Sequence, residues 1–195
     1  MHADAVVVGA GHNGLVAANL LADAGWDVVV LEAQPEAGGA IRSGELIEPG
    51  FVTDLFSAFY PLAVASPVIR ALGLEDHGLR WCRTPLALAH PRPDGSCAVL
   101  STDIDETAAS LEAFHPGDGD RWRELFGWWT GTGGGFIDTL LAPFPPVRPA
   151  TRLAAHLGPA RALHLARLAL LPVRRLAAEQ FRGAGGGLLL TGCAL

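Results

Sequence analysis

The stretch Gly9-Ala10-Gly11-His12-Asn13-Gly14 constrains this chain more than any other. It is a G-x-G-x-x-G turn, and alone such a turn says little. Its surroundings make it specific. The apolar run Asp4–Val8 leads into it, the small apolar segment Leu15–Ala24 follows, and Gly25 stops that segment. A second apolar run, Asp27–Leu31, then ends at Glu32. Strand, glycine turn, helix and strand within about thirty residues make a βαβ unit with parallel strands. Both strands are apolar on both faces and so read as fully buried. The acid falls 18 residues after Gly14, which suits the dinucleotide-binding fingerprint.

Each position in the turn has a physical task. Gly9 permits the sharp exit from the first strand. Gly11 has no Cβ, so backbone can approach a pyrophosphate. Gly14 lets the helix pack close to the strand, and the helix N-terminus offers free N–H groups and a positive dipole end. Asn13 is placed to hydrogen-bond the cofactor, while His12 reads as a tolerated neighbour rather than an acid–base catalyst. Glu32 can accept the adenosine ribose hydroxyls, and its charge opposes a 2′-phosphate, which argues against NADP. NAD and FAD both remain open. The pair Gly38-Gly39 tips the balance to FAD, because it supplies a second bare stretch of backbone close to the same pyrophosphate.

Composition bounds the rest. Half of the 195 residues are hydrophobic and 17% are charged, enough to build a core. Glycine and proline together make 38 of 195 (24 and 14), so broken elements are expected. All 14 basic residues are Arg, which excludes a Schiff-base lysine and a Walker-type phosphate lysine. The net charge of −6 argues against bulk attraction to nucleic acid. The charge is uneven: residues 1–120 hold 17 acids and 5 Arg, residues 121–195 hold 3 acids and 9 Arg. Cys82, Cys97 and Cys193 form no C-x-x-C, so neither a disulfide scaffold nor a zinc site is expected. No secretory signal is visible at the N-terminus and no 18-residue apolar run occurs, which together suit a cytoplasmic protein.

Further along, Glu45–Asp54 has weak strand character and Ser66–Leu72 reads as a short helix. Leu79–Arg83, Leu86–His90 and Cys97–Leu100 read as strands, the last two joined by the turn Pro91–Gly95. Thr102 with Asp105 fits a capping box for a helix running to Phe114. A second helix is expected over Asp120–Trp129, stopped by Thr130–Gly135, with Pro143–Pro149 as a stiff linker. Thr151–Gln180 is Leu/Ala/Arg-rich and helical, with breaks near Gly158-Pro159 and Pro172. The fold class expected is α/β: a Rossmann-like βαβ with a parallel sheet over 1–78. A partial α+β domain follows over 79–195, mixed strands first and helices towards the C-terminus.

Residues Val6–Glu32, then Gly38-Gly39-Ala40-Ile41-Arg42-Ser43-x-Glu45-Leu46, then Pro49-Gly50-Phe51-x-x-Asp54-x-x-Ser57 carry a resemblance. The chain resembles the FAD-dependent phytoene desaturase-related oxidoreductases, a group with carotenoid desaturases, carotenoid isomerases and retinol saturase-like enzymes. The likeness is close over residues 4–62 and runs in order to about residue 182. It implies an FAD-dependent oxidoreductase that dehydrogenates or saturates an apolar, isoprenoid-like small molecule and passes electrons to an acceptor the sequence does not reveal. It also implies FAD with its adenine half over Gly9–Gly14 and Glu32, the Gly38–Ser43 segment along the pyrophosphate and ribityl chain, and residues 79–195 as part of a substrate domain. Arg42 lies in that segment, either paired with a phosphate or simply at the surface. Ala37 and Ala40 stand where many relatives carry a basic residue, so flavin contacts should differ in detail. Asp54, Ser57, Phe59 and Tyr60 follow the segment and read first as turn and core residues. No catalytic residue is nominated, because in such enzymes the flavin does the redox chemistry. An NAD-binding dehydrogenase and a non-catalytic dinucleotide-binding module are the competing readings.

Two features of the second half admit two readings each. Trp122, Phe126, Trp128, Trp129 and Phe136 cluster at helical spacing and read as core first, as the wall of an apolar substrate pocket second. The basic region Thr151–Arg182 reads as a solvated helix pair first, and as a weak contact with an anionic membrane surface second, which would make the protein peripheral. Members of the resembled family are much longer. The expectation is therefore an N-terminal portion that alone binds FAD poorly, aggregates and shows no turnover. A monodisperse 195-residue protein with stoichiometric FAD and substrate-dependent flavin reduction would refute it.

Overall fold

The computed structural model describes residues 2–192; Cys193 and the end of the apolar run Leu188–Leu195 lie outside the described residues. The chain forms two compact units, Met1–Leu79 and Arg80–Leu195.

In the first unit, strand β1 (Ala5–Val8) and strand β2 (Val28–Leu31) pair in parallel, Val6 beside Val29 and Val8 beside Leu31. Helix α1 (His12–Asp23) makes the crossover. It starts three residues earlier than Leu15, because Gly11 is its N-cap and the second half of the glycine turn is already its first turn. A second pair, β3 (Ser43–Gly44) and β4 (Thr53–Asp54), is antiparallel; β3 precedes the weak-strand stretch Glu45–Asp54 and only β4, at its end, lies within it. Two short helices follow, α2 (Pro61–Ala65) and α3 (Pro67–Ala71), the second capped by the Ser66 hydroxyl accepting from the Ile69 N–H.

The strands β1 and β2 are not buried on both faces. Along β1, Ala5 and Val7 face inwards while Val6 and Val8 stay 57% and 83% exposed. One helix covers one face of the pair, and among the described residues of this unit no second layer covers the other.

The second unit has its own core. Strand β5 (Leu86–Pro91) and strand β6 (Cys97–Ser101) form an antiparallel hairpin, with Gly95 at φ +83° in its turn. Helix α4 (Ile104–Glu112) packs on β6, and helix α5 (Asp118–Thr130) packs on α4. Three more helices follow: α6 (Gly133–Leu140), α7 (Val147–Leu170) and α8 (Val173–Gln180). Helix α9 (Ala184–Gly192) returns to β5, β6 and α4. Buried Ala98, Leu111, Phe181 and Leu189 form the centre, with Leu100, Phe114 and Trp122 packed around them. Full burial of Leu111 or Leu189 stabilises by roughly 1.5–3 kcal/mol each.

Four expectations shift here. Leu79–Arg83 is not a strand: the ladder with β6 begins at Leu86, and strand propensity alone does not make a strand. The α4 cap is Asp103, whose carboxylate accepts from the Asp105 N–H at 2.8 Å, while the Thr102 N–H is committed to Pro85 O in the hairpin. Thr130–Gly135 does not simply end a helix: Thr130 is still the last residue of α5, and α6 begins at Gly133 and stands against α7. Nor is Pro143–Pro149 all linker: α7 starts at Val147 and holds Pro149 in its first turn, where a missing N–H costs nothing. The break at Gly158-Pro159 does occur, with Gly158 at φ +72° inside α7. Glu179 on α8 accepts from Arg167 at 2.6 Å and from Arg175 at 2.7 Å, which joins α7 to α8.

Candidate dinucleotide-binding site

The glycine turn is held by backbone contacts. Gly9 has φ +96°, and its N–H donates to Leu31 O at 2.7 Å, tying the turn to the end of β2. A Cβ on Gly14 would lie 2.0 Å from Gly9 O and 3.4 Å from Val7 Cγ1, so α1 sits as close to β1 as backbone permits. The first bond of the α1 ladder runs from the Leu15 N–H to Gly11 O at 2.9 Å. The N–H groups of His12, Asn13 and Gly14 therefore precede the ladder. No side chain caps this end, and no acid stands in the first turn. Helices α4 and α5, by contrast, carry acids there. An uncapped, acid-free helix N-terminus with glycine on its approach favours an anion. The side chains of His12 and Asn13 are exposed.

Gly38 and Gly39 come to this turn through space. Gly38 donates its N–H to Ala10 O at 2.8 Å and forms a parallel bridge with Gly11. A Cβ on Gly39 would lie 2.9 Å from Gly11 Cα. Two bare backbone segments are thus stacked, and a side chain on Gly39 would force them apart. With φ +127° and +59°, Gly38 and Gly39 also occupy backbone conformations that favour glycine.

Glu32 fastens the same assembly. Its Oε2 accepts from the Ala10 N–H at 2.6 Å and its Oε1 from the Gln34 N–H at 2.9 Å. The sequence suggests Glu32 for ribose hydroxyls, but gives no sign of this clamp on the turn. Each carboxylate oxygen keeps a lone pair for a further donor. The Gln34 N–H first, then the Ala10 N–H, hold the Glu32 carboxyl below its ordinary value. A lowered folded-state pKa means stabilisation that is present above the unfolded value and lost as pH falls through the folded one. Protection factors at Ala10 and Gln34, exchange taken relative to the intrinsic rate at each pH, should therefore fall below about pH 5, and Glu32→Gln should remove that fall. Equal acid sensitivity in the variant would show that the clamp does not govern the turn.

Arg42 is neither a simple surface arginine nor ion-paired among the described residues. Its guanidinium stacks over Phe56, 5.5 Å from the ring centroid, and its buried Nε has no hydrogen-bond partner. The Arg42 stem passes Gly38, where a Cβ would meet Cγ at 2.9 Å. Downstream, Ser43 donates to Asp54 at 2.7 Å, Tyr60 donates to Ser57 O, and Phe59 is 69% exposed. These contacts make Asp54, Ser57 and Tyr60 local turn residues.

The fold and the stacked glycine segments define a Rossmann-like dinucleotide-binding domain. Residues 7–72 match the family model described as an NAD(P)-binding Rossmann-like domain. Among curated relatives, a limonene dehydrogenase component of Castellaniella defragrans is 35% identical over 123 residues, 63% of this chain and 22% of its own length. Carotenoid 3,4-desaturase of Haloarcula japonica is 34% identical over 125 residues, 62% of this chain and 24% of its own. Hydroxyneurosporene desaturase of Cereibacter sphaeroides is 34% identical over 110 residues, 56% and 22%. A solved putrescine oxidase aligns at 25% identity over 60% of this chain and 29% of its own, with a TM-score of 0.37. The curated relatives, a limonene dehydrogenase component and two desaturases, bear out the resemblance to phytoene desaturase-related oxidoreductases. The chain spans about a fifth of the length of the curated relatives it matches.

Proposed function

We propose that the first unit binds the adenosine diphosphate half of FAD, and that the chain serves an FAD-dependent oxidoreductase acting on an apolar small molecule by dehydrogenation or saturation. The observation that carries this reading is the seating of Gly38-Gly39 on Gly11, since two side-chain-free segments flank one helix N-terminus. The names of its relatives, dehydrogenases and desaturases, support the reaction class.

The residues present fit such a group. Gly9, Gly11 and Gly14 keep the approach bare, and the N–H groups of His12, Asn13 and Gly14 meet the pyrophosphate. Glu32 receives the ribose hydroxyls while it holds Ala10. The unpartnered Nε of Arg42 lies on the segment that runs along the phosphates and offers a donor to one of them. When bound, the flavin supplies the electron-accepting chemistry, and these residues supply binding and orientation. The second unit is the substrate side, with an apolar substrate and an electron acceptor yet to be identified. A nicotinamide cofactor is the second reading, favoured by the description of the matching family model.

The test is the absorption spectrum of the purified chain, followed by FAD titration of the apo form. Weak but saturable FAD binding is expected of this portion alone, with Glu32→Ala weaker by about a further 10- to 100-fold, the scale of losing a charged acceptor. Saturation by NAD without any flavin binding would replace this reading with the nicotinamide one.

For the basic region the solvated reading is preferred. Arg167 and Arg175 are committed to Glu179, and Gly158 breaks α7 so that the arginines share no long face. Among the described residues no helix is long and apolar enough to cross a membrane. Co-sedimentation with anionic vesicles should be weak at physiological salt. Strong, salt-sensitive pelleting would make this a peripheral membrane enzyme.

A further inference from the structure

The N-terminus of α6 holds donors without an acceptor. Its hydrogen-bond ladder opens with the Phe136 N–H donating to Thr132 O at 3.2 Å, so the N–H groups of Gly133, Gly134 and Gly135 precede it. Thr132 stands at the cap, where a threonine hydroxyl ordinarily accepts from one of these groups. Here it makes no such bond, its backbone lying at φ −128° and ψ −33°, and no acid stands in the first turn. Thr132 is nonetheless 2% exposed, and its Oγ1 has no hydrogen-bond partner among the described residues. A buried hydroxyl left without a partner destabilises a fold, and native proteins keep few of them.

Thr132 lines a groove of about 320 Å³ to which α7 contributes Arg152 and His156. Arg161 stands nearby, its Nη2 3.6 Å from where a Cβ on Gly131 would lie. Among the described residues Arg152 has no ion-pair partner, and neither has Asp138, which lines the same groove. The three glycines of the first turn differ. A Cβ on Gly133 would meet the Trp129 indole at 2.5 Å, and one on Gly135 would meet Leu153 Cδ1 at 2.8 Å, so packing explains both. A Cβ on Gly134 would meet nothing within 4 Å. Glycine weakens a helix there relative to alanine, and packing does not require it; what it does is keep the groove side of the helix terminus bare.

Three N–H groups, a hydroxyl and a guanidinium all donate, and a ligand that only accepts satisfies them together. We propose that the α6 N-terminus binds a phosphate group, with Thr132 and Arg152 as its side-chain donors. Asp138 opposes the anion and limits its affinity. The site lies wholly within the second unit, so it does not rest on the flavin reading of the first.

Inorganic phosphate is the probe, titrated into the isotope-labelled full chain in chloride buffer. Saturable shifts of the Gly133, Gly134 and Gly135 amides are expected. Shifts at His12, Asn13 and Gly14 are read separately, so failure here leaves the flavin reading standing. Thr132→Val keeps the side-chain shape and removes the unpartnered hydroxyl. It should raise the urea midpoint and yet weaken phosphate binding about tenfold, because a hydrogen bond to a charged ligand is lost. Gly134→Ala enters open space and should likewise stabilise α6 while weakening phosphate. Arg152→Gln should weaken it, and Asp138→Asn should tighten it. Tighter binding of glycerol phosphate than of inorganic phosphate would identify a monoester as the ligand, and weaker binding the free ion. Shifts that grow without saturating, or a Thr132→Val variant that binds phosphate like the parent or is less stable than it, would overturn the proposal.

Discussion

Gly14→Ala is expected to unseat the βα turn and abolish dinucleotide binding in the same variant. The Cβ it adds would lie 2.0 Å from Gly9 O, a contact with backbone that no rotamer can relieve. Either α1 moves away from β1 or Gly9 gives up its bond to Leu31 O. Overpacking of this kind costs about 3 kcal/mol, more than a hundredfold in the local folding equilibrium. Amide exchange in the first unit would measure it. Gly11→Ala is the informative control. Gly11 has φ −75°, and its added Cβ would meet Gly39 Cα at 3.8 Å, an ordinary contact. That variant should keep the fold of the turn while lowering FAD affinity. Unchanged protection in Gly14→Ala would mean that the helix has room the geometry denies.

The second large effect is expected at Asp118, which is 1% exposed. Its Oδ1 accepts from the Arg182 N–H at 2.9 Å and its Oδ2 from the Gly183 N–H at 2.8 Å, joining the start of α5 to the α8–α9 junction. Asp118→Ala strands two backbone donors and removes a charged acceptor, at a cost of about 3 kcal/mol. Urea unfolding followed by tryptophan emission should show the loss. Asp118→Asn keeps one carbonyl acceptor and should lose about half as much. An alanine variant as stable as the parent would show that the α8–α9 junction is held by packing alone.

The parts legible in the sequence were those set by local chemistry. The G-x-G-x-x-G turn, both of its strands, the parallel βαβ and the Gly158-Pro159 break could be read because glycine and proline act on their own backbone. Asp118 could not be read in this way, since nothing nearby in sequence announces partners at residues 182 and 183. The same holds for the Glu32 clamp on Ala10 and the stacking of Gly39 on Gly11, which depend on where distant segments meet. The aromatic cluster shows a further limit. Spacing groups Trp122, Phe126, Trp128 and Trp129 of α5 with Phe136 of α6, but does not say whether their rings meet one another or stand apart. The α4 cap slipped by one residue because Thr102 and Asp103 can both cap, and the hairpin had already taken the Thr102 N–H.

The Asp118 tie also bears on the order in which the second unit is completed during synthesis. Ala98 and Leu111 emerge from the ribosome long before Phe181 and Leu189, which complete their core. Until α9 is made, the hairpin and α4 present an unfinished apolar face, and the Asp118 carboxylate awaits both of its N–H donors. Contacts of such sequence separation form slowly, and half-made units with open apolar faces are the species most prone to aggregation. A nascent chain halted after α7 should therefore stay protease-sensitive throughout the second unit, and one extended past Gly192 should become protected in a single step.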